Sequence, residues 1–253
     1  MRKIQDIYYT EEKNPMQMLD MYLPDTDNFP VIVYFHAGGL IHGNRTCCQN
    51  GISYLVPHGV GLVTVEYRMY PDAKFPDFIE DGAAAVKWTF DNIKKYGGNG
   101  KIFVGGSSAG GYISQMLCFD DSYLGAHGIL PTDVTGYIHD AGQPTAHFYV
   151  LKEFGLDSRR VVVDKTAPLY FVGMAKEYSP MLIIYSDNDM QNRPEQTRLL
   201  VSTLNHFGYD MEKVEVIEAH GTHCQYLKEF DEDGNNPFGK MVYPFVMKYS
   251  EAE

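Results

Sequence analysis

The sequence predicts an α/β fold with a mostly parallel central sheet and helices on both faces. Continuous apolar runs such as residues 31–35 and 181–185 are typical of strands that are buried on both sides. Helical patterns alternate with these runs, as they do where crossover helices join parallel strands. The chain has 253 residues, of which 44% are hydrophobic, and we therefore expect a single large domain over residues 1–253.

Five strands are predicted in the first half of the chain. An imperfect alternation around a polar turn at residues 11–15 indicates an antiparallel pair at the edge of the sheet. Uninterrupted apolar runs indicate buried strands after that pair. The five strands are expected at residues 4–10, 17–23, 31–35, 60–65 and 101–104.

Three helices are expected in the same half, at residues 49–58, 77–96 and 112–118. Gly59 would end the first helix, and the glycine-rich residues 97–100 would end the second. The second helix offers small and apolar side chains for burial, namely Ala83, Ala84, Val86, Trp88 and Ile93.

The second half of the chain predicts three further strands, at residues 134–139, 181–185 and 213–219, the last from the alternating Val214, Val216 and Ile217. An amphipathic helix is expected at residues 194–207, with Leu199, Leu200, Val201 and Leu204 directed inward. Other helices are predicted around residues 147–154, from residue 225 onward, and at residues 238–249. Residues 157–164 fit either a loop or a weak strand.

Residues 105–111, with the sequence GGSSAGG, lie between a predicted strand and a predicted helix. Within them, Gly106, Ser108 and Gly110 match the G-x-S-x-G pattern of a nucleophile elbow. Side chains two residues either side of Ser108 would collide with backbone at so sharp a turn, which explains the glycines. The helix that follows would point N–H groups at a developing negative charge. Ser108 is therefore the candidate nucleophile.

Two other interpretations fit a glycine- and serine-rich loop. It could be a loop without chemistry, since G-x-S-x-G alone is a common pattern. A phosphate-binding loop is disfavoured, because no Lys-Ser or Lys-Thr pair follows the glycines and the G-x-G-x-x-G spacing is missing. The elbow interpretation therefore needs catalytic partners elsewhere in the chain.

Composition and net charge limit which binding partners and which cellular compartment are expected. The net charge of −12 disfavours nucleic acid and anionic membranes as partners. No apolar run is long enough to cross a bilayer, and the first residues lack the apolar segment of a secretory signal. The cysteines at positions 47, 48, 118 and 224 form no C-x-x-C pair. We expect a reduced, cytoplasmic protein.

Further motifs stand at fixed places around the elbow. The apolar run 31–35 ends in His36-Ala37-Gly38-Gly39, and Tyr67-Arg68-x-x-Pro-x-x-x-Phe-Pro follows the next strand. Glu80-Asp81 and Trp88 come next, and then GGSSAGG. In this order the motifs resemble the α/β-hydrolase-fold carboxylesterases, in particular the hormone-sensitive-lipase-like and the feruloyl- and acetyl-esterase-like (BD-FAE-like) families. The resemblance is strongest over residues 31–118.

This resemblance implies an α/β-hydrolase fold with an oxyanion loop after the third strand. It places the oxyanion-binding N–H groups at Gly38, Gly39 and Ala109. Ala37 and Leu40 depart from the H-G-G-G pattern, but the donors are backbone amides. His36 is expected to brace the loop. The segment from Tyr67 to Asp81 is expected to hold a surface turn onto the helix that supports the elbow.

The resemblance also selects the acid and the base of a catalytic triad. Asp189 falls at the last position of a G-x-x-D pattern in which Ser186 replaces the glycine, and it is preferred over Asp187. His223, just before a predicted helix, is preferred over His220. The order Ser108, Asp189, His223 is that of the α/β-hydrolases. A metal site at His220, His223 and Cys224 is disfavoured, because no further ligand cluster is recognisable.

The predicted function is that of a serine carboxylesterase acting on short-chain acyl esters through an acyl-enzyme, without a cofactor or a metal. Two alternatives remain: a small serine peptidase or amidase on the same fold, or a non-catalytic binding protein. Against the peptidase, the sequence shows no extra acidic pair or added domain that would capture a peptide N-terminus. Turnover of p-nitrophenyl esters would separate a catalyst from a binding protein.

The substrate is expected to be an acetyl-like ester of a polar alcohol such as a sugar. The lid or cap predicted at about residues 143–180 is too short to cover a long acyl chain. Aromatic and hydrogen-bonding side chains suit carbohydrate or phenolic groups, although they also fit a partly exposed rim. Candidate substrate contacts are His42, Gln143 and His147, with His139, Tyr149 and Tyr170 nearby in the sequence.

Overall fold

One mixed sheet of eight strands organises the computed structural model, which describes residues 1–251 apart from the side chains of residues 48–50. The strands are β1 Arg2–Tyr8, β2 Met18–Leu23, β3 Phe29–Phe35, β4 Gly61–Val65, β5 Gly98–Ser107, β6 Gly136–Asp140, β7 Met181–Asn188 and β8 Val214–Thr222. They lie in the order β1-β2-β4-β3-β5-β6-β7-β8. Only the pairs β1–β2 and β2–β4 are antiparallel. The predicted mostly parallel sheet is confirmed.

Helices pack on both faces of this sheet. Within the described chain they are α1 Ile52–Leu55, α2 Asp77–Asn92, α3 Ala109–Phe119, α4 Asp121–Gly125, α5 Phe148–Glu153, α6 Pro168–Phe171, α7 Arg193–His206 and α8 Pro237–Ser250. Side chains of β3 alternate between the two sides. Val31, Val33 and Phe35 belong to the core under α2 and α3, and Ile32 and Tyr34 belong to the core under α1 and α8.

Two predicted helices are shorter than the sequence suggested. The helix expected at residues 49–58 is a 3₁₀ turn, Arg45–Gly51, followed by the four residues of α1. It ends because Gly59 has a φ of 86° and the N–H of Val60 bonds the carbonyl of Leu55. The helix expected from residue 225 is the 3₁₀ turn Gln225–Leu227.

The amide of Asn236 explains the second of these short helices. Its Nδ2 donates to the carbonyls of Tyr226, Leu227 and Glu229, which a continuing helix would have needed as acceptors. Similarly, α2 gives way at Ile93 to a 3₁₀ turn that runs to Tyr96.

Some side chains predicted to be buried are exposed. Leu199 on α7 is 45% exposed, whereas Leu200 and Leu204 are fully buried. Val216 is 44% exposed because β8 is the edge strand of the sheet. On α2, Ala84 and Trp88 are only partly buried. Periodicity alone did not distinguish these half-covered positions from core positions.

A half-buried ion pair, in which only Asp81 is fully covered, holds the segment after β4 onto α2. Nε and Nη2 of Arg68 donate to the carboxylate of Asp81, and the backbone N–H of Arg68 donates to the same group. Gln17 completes the set with a hydrogen bond of 2.6 Å. The surface turn is thus fixed to the helix that packs against α3, as the sequence analysis expects.

The segment at residues 143–180 holds the two short helices α5 and α6. Residues 157–164 contain no strand, so the loop alternative is correct there. His147 is the N-cap of α5, and its Nδ1 accepts a hydrogen bond from the N–H of Tyr149. Among the helices of residues 1–251, none has the length and apolarity that a membrane crossing requires.

Candidate active site

The turn between β5 and α3 places Ser108 in a strained backbone conformation. Ser108 has φ 55° and ψ −108°, a combination that non-glycine residues seldom adopt. A Cβ at Gly106 would lie 2.4 Å from the carbonyl oxygen of Gly110, and one at Gly110 would lie 2.1 Å from that of Phe35. Glycine is therefore sterically required on both sides of the serine. This is the geometry of a nucleophile elbow.

Three side chains meet at the carboxyl edge of the sheet, after β5, β7 and β8. Oγ of Ser108 lies 2.8 Å from Nε2 of His223. Nδ1 of His223 lies 2.5 Å from Oδ1 of Asp189. With its proton on Nδ1, His223 donates to the carboxylate and accepts from the serine hydroxyl through Nε2. The structure thus brings together the serine, histidine and aspartate that the sequence analysis selects.

The competing histidine and aspartate form a separate pair on the surface. Nδ1 of His220 lies 2.7 Å from Oδ2 of Asp187, and the His220 side chain is 97% exposed. The hydrogen bond to Asp187 raises the pKa of His220. Neither residue contacts Ser108, so this pair is not positioned to activate the hydroxyl.

Asp189 is set up to remain ionised beside the imidazole. Burial raises the pKa of its carboxyl group, but the hydrogen bond and charge of His223 outweigh that effect, so the net pKa is lowered. The N–H of Met190 also donates to Oδ1 of Asp189 at 2.6 Å. A buried carboxylate stabilises a protonated imidazole and holds it in one tautomer.

The loop after β3 faces the serine with backbone N–H groups. Gly38 has φ 137°, and a Cβ there would lie 1.7 Å from the carbonyl oxygen of His42. Within the described chain, the N–H groups of Gly38 and Gly39 have no hydrogen-bond acceptor. The N–H of Ala109 lies at the first position of α3, where helical amides lack an internal partner. These three groups are the candidate oxyanion donors.

His36 supports this loop from beneath. Its side chain is fully buried, its Nδ1 donates to the carbonyl of Ala37 at 2.7 Å, and its ring stacks on Tyr67 at 4.2 Å between centroids. Its Nε2 lies 3.6 Å from Oε1 of Glu66. His36 does not line the cavity above Ser108, and its contacts agree with the expected bracing role.

A cavity of about 480 Å³ opens above Ser108. Gly38, Gly39, His42 and His223 line it together with the serine. Sequence reasoning missed much of its wall, which comes from separate segments and is largely apolar: Tyr34, Cys47, Phe148, Met190, Leu227 and Phe238. The site is therefore more apolar than the lid sequence suggested, because only Phe148 of this wall comes from the lid.

The other predicted substrate contacts have different surroundings. Gln143 is 5% exposed and lines a neighbouring cavity rather than the one above Ser108. His147 is 1% exposed, is stacked on Phe148, and lines neither cavity. Burial lowers the pKa of His147 well below its usual value. Its position is that of a helix cap and gives no support to a substrate contact.

His139 does not lie at the rim of the site. It is fully buried on β6, and its Nδ1 lies 3.0 Å from Oγ of Ser114. Burial lowers its pKa to about 3. The expectation that His139 contributes to a substrate rim is therefore wrong, because its ring belongs to the core between Tyr137 and Phe119.

Asp140 forms a buried polar network beneath the triad that the sequence analysis did not identify. Its carbonyl accepts the N–H of Ser108 at 2.8 Å. Its carboxylate accepts hydrogen bonds from the hydroxyls of Tyr34, at 2.9 Å, and Tyr226. Burial raises its pKa to about 6, although these hydrogen bonds oppose the shift. A carboxylate at the end of a central strand is the one signal that could have indicated it.

The site contains the groups for acyl transfer and no recognisable set of metal ligands. In the part of the chain that the structure describes, no three His, Cys, Asp or Glu side chains cluster as metal ligands would. A serine, an imidazole, a carboxylate and backbone donors can together attack an ester carbonyl and stabilise the resulting oxyanion.

Comparison with known proteins agrees with this geometry. The family model BD-FAE matches residues 19–155, which is more than half of the chain. The chain belongs to the BD-FAE family. It is 36% identical over 104 residues to esterase LipI of Mycobacterium tuberculosis, and the match covers 37% of this chain and 30% of LipI. The chain thus spans only about a third of the length of that curated relative.

Solved structures resemble this BD-FAE family member over nearly its whole length. Esterase B of Lactobacillus rhamnosis superposes with a TM-score of 0.82 at 17% identity, covering 99% of this chain and 86% of that one. A truncated carbohydrate esterase from gut microbiota gives a TM-score of 0.81 at 18% identity, covering 100% and 97%. These likenesses show the α/β-hydrolase fold. The predicted family, one of carboxylic ester hydrolases, is confirmed.

Proposed function

We propose that this protein is a serine carboxylesterase that hydrolyses short-chain acyl esters through an acyl-enzyme. The observation that carries the proposal is the contact of Ser108 with His223, and of His223 with Asp189, at the floor of a cavity. Membership of the BD-FAE family supports the same chemistry.

In this mechanism His223 removes the proton of Ser108 as Oγ attacks the ester carbonyl, and then returns it to the leaving alcohol. Asp189 stabilises the imidazolium. The N–H groups of Gly38, Gly39 and Ala109 hold the oxyanion, and each such donor is worth roughly 3–4 kcal/mol in the transition state. In the second half-reaction His223 removes a proton from water as the water attacks the acyl carbon, and then returns that proton to Oγ of Ser108 as the bond between the acyl group and the serine breaks.

The lid supports a short acyl group, because the side chain that residues 143–180 add to the cavity above Ser108 is that of Phe148. The volume of this cavity, about 480 Å³, is in the range of ordinary ligand pockets. Residues 143–180 act, in this proposal, as a short lid on a single α/β-hydrolase domain, with Phe148 as their contribution to the wall. Carbohydrate acetates are the proposed natural class, in line with the structural likeness to a carbohydrate esterase. A cytoplasmic location remains a further proposal.

The test is a substrate panel measured on the full chain. It comprises p-nitrophenyl esters from acetate to decanoate, an acetylated xylo-oligosaccharide, methyl ferulate and matched amides, with Ser108→Ala as the control. We expect specificity constants that fall with chain length and release of acetate from the oligosaccharide. Values that rise steadily to decanoate, with no release from the carbohydrate, would show a lipase-like pocket. Faster turnover of the amides would favour an amidase.

A further inference from the structure

A second cavity adjoins the one above Ser108 and has a polar, cationic wall. Its volume is about 830 Å³, and the two cavities share Phe148 and Met190. Met190 directly follows the proposed acid Asp189. Phe148 and Met190 thus border both cavities, and an ester held at Ser108 would reach the second cavity by passing between these two side chains.

The two cavities differ in the chemistry of their walls. Apolar and aromatic side chains dominate above Ser108. Hydrogen-bonding side chains dominate the second cavity, among them Gln143, Ser158, Gln191, Asn192 and Gln196. The acyl part of the ester suits the first cavity, and a polar alcohol suits the second.

The wall of the second cavity also carries charged side chains. It is lined by three arginines, Arg159, Arg160 and Arg193, and by one carboxylate, that of Glu195. Arg159 is engaged by Asp157 in a two-pronged ion pair with distances of 2.6 and 3.0 Å. The other two arginines make no such two-pronged pair.

Within the described chain, neither Arg160 nor Arg193 forms a direct ion pair, although the charge of Asp157 acts on Arg160 and that of Asp189 acts on Arg193. Arg160 is exposed, and its guanidinium makes no hydrogen bond or ion pair there. Arg193 is 4% exposed and donates only to neutral acceptors, the carbonyl of Ala141 at 2.5 Å and Oε1 of Gln143 at 3.2 Å. Guanidinium groups bind carboxylates strongly where water is partly excluded.

The wall of the second cavity thus has more arginines than carboxylates, although the chain as a whole has a net charge of −12. We propose that the second cavity receives the alcohol part of the ester and selects alcohols that carry a carboxylate, such as acidic sugars. A single negative charge fits better than a doubly charged phosphate, because Glu195 shares the wall. The inference rests on the proposed esterase function, since the selectivity is a difference in ester turnover.

The test uses two acetates that differ only in charge, 4-(acetoxymethyl)benzoate and 4-(acetoxymethyl)benzamide. The methylene group keeps the reactivity of the two leaving alcohols similar. Any remaining difference in reactivity is removed by dividing each enzymatic rate by the rate of hydrolysis of the same acetate by hydroxide alone. We expect a higher kcat/KM for the benzoate in the wild-type chain. Arg160→Gln should lower the benzoate-to-benzamide ratio about 2- to 5-fold, mainly through KM.

Lys165→Gln is the matched control, because it removes one exposed positive charge from the same segment without touching the cavity. Lys165→Gln should leave the benzoate-to-benzamide ratio at its wild-type value. Added salt should reduce this ratio more in the wild type than in Arg160→Gln, because salt screens the charge that the variant lacks. A wild-type ratio that favours the benzamide, or an equal fall in both variants, would overturn the inference.

The same data separate this inference from the proposed function. If the benzamide is hydrolysed by the wild type and not by Ser108→Ala, the esterase function holds whatever the ratio is. If neither acetate is hydrolysed above the rate of Ser108→Ala, the esterase function itself is wrong.

Discussion

The hydroxyl of Tyr226 donates a hydrogen bond to the buried carboxylate of Asp140, 86 positions away in the chain. Tyr226 lies three residues after His223, and the carbonyl of Asp140 accepts the N–H of Ser108. One buried residue therefore connects the turn of the nucleophile to the loop of the base. We therefore expect the distance between Ser108 and His223 to depend on this connection as well as on the sheet.

Replacing the nucleophile should abolish ester hydrolysis. Ser108→Ala removes the only hydroxyl in contact with His223 among the described residues, and loss of a triad serine costs on the order of a million-fold in rate. The measurement is p-nitrophenyl acetate turnover, with circular dichroism to show that the fold is retained. Ser107→Ala is the neighbouring control, since Oγ of Ser107 faces Cys224 at 3.2 Å. Half of the wild-type rate in Ser108→Ala would contradict the assignment.

The two histidines should differ sharply when each is replaced by alanine. His223→Ala removes the base that contacts Ser108 at 2.8 Å, so its rate should fall near that of Ser108→Ala. His220→Ala should keep most of the activity, because that ring is exposed and binds only Asp187. kcat/KM for both variants decides between them, and the reverse ranking would move the base to His220.

The two aspartates provide a parallel comparison. Asp189→Asn keeps the shape of the side chain but no longer holds the imidazole in the required tautomer, which costs around ten-thousand-fold. Asp187→Asn should change kcat by less than about tenfold, since it disturbs only an exposed pair. Similar losses of kcat in Asp189→Asn and Asp187→Asn would show that contact with His223 does not identify which aspartate acts as the acid.

The sheet, and the meeting of Ser108, Asp189 and His223 at its edge, were predictable largely because the signals of strands are local. An uninterrupted apolar run such as residues 181–185 predicts a buried strand, and the residues just after such a strand must lie at the carboxyl edge of a parallel sheet. Ser108, Asp189 and His223 each lie at or just after the end of a strand, so their place at this edge was predictable. The choice of Asp189 over Asp187 and of His223 over His220 came from the family resemblance.

The walls of the cavity were not predictable in this way. Phe148, Met190, Leu227 and Phe238 come from four separate segments, and no spacing relates them in the sequence. Histidines were misjudged for a related reason. The letters at positions 139 and 147 do not reveal that Ser114 and the N–H of Tyr149 already engage these rings inside the fold.

The ion pair between Arg68 and Asp81 should contribute to stability and not to catalysis. Asp81→Ala leaves the guanidinium of Arg68 and the amide of Gln17 without their acceptor, and breaking such a pair costs about 3 kcal/mol. Urea unfolding should show this loss, while kcat/KM of the folded protein stays near the wild-type value. Glu80→Ala, an exposed neighbour on α2, is the control. A large fall in kcat/KM with unchanged stability would contradict the structural role.

Asp140 gives the fold a dependence on pH whose sign follows from its burial. Burial raises its pKa from 3.8 to about 6 in the folded state. Between these two values the folded chain binds a proton that the unfolded chain releases, so protonation stabilises the fold. This contribution is fully present below the unfolded pKa and is lost as the pH rises through the folded pKa.

Asp140→Asn should remove that dependence, because asparagine keeps the shape of the side chain without a titrating group. Relative to Asp140→Asn, the wild type should lose about 2 kcal/mol of unfolding free energy as the pH rises from about 4.5 to about 8. Urea unfolding at the two pH values measures it. Asp72→Asn, at an exposed position, controls for the loss of one negative charge. A difference that stays constant, or that moves in favour of the wild type as the pH rises, would show that Asp140 is already ionised in the folded protein at low pH and that the hydroxyls of Tyr34 and Tyr226 outweigh its burial.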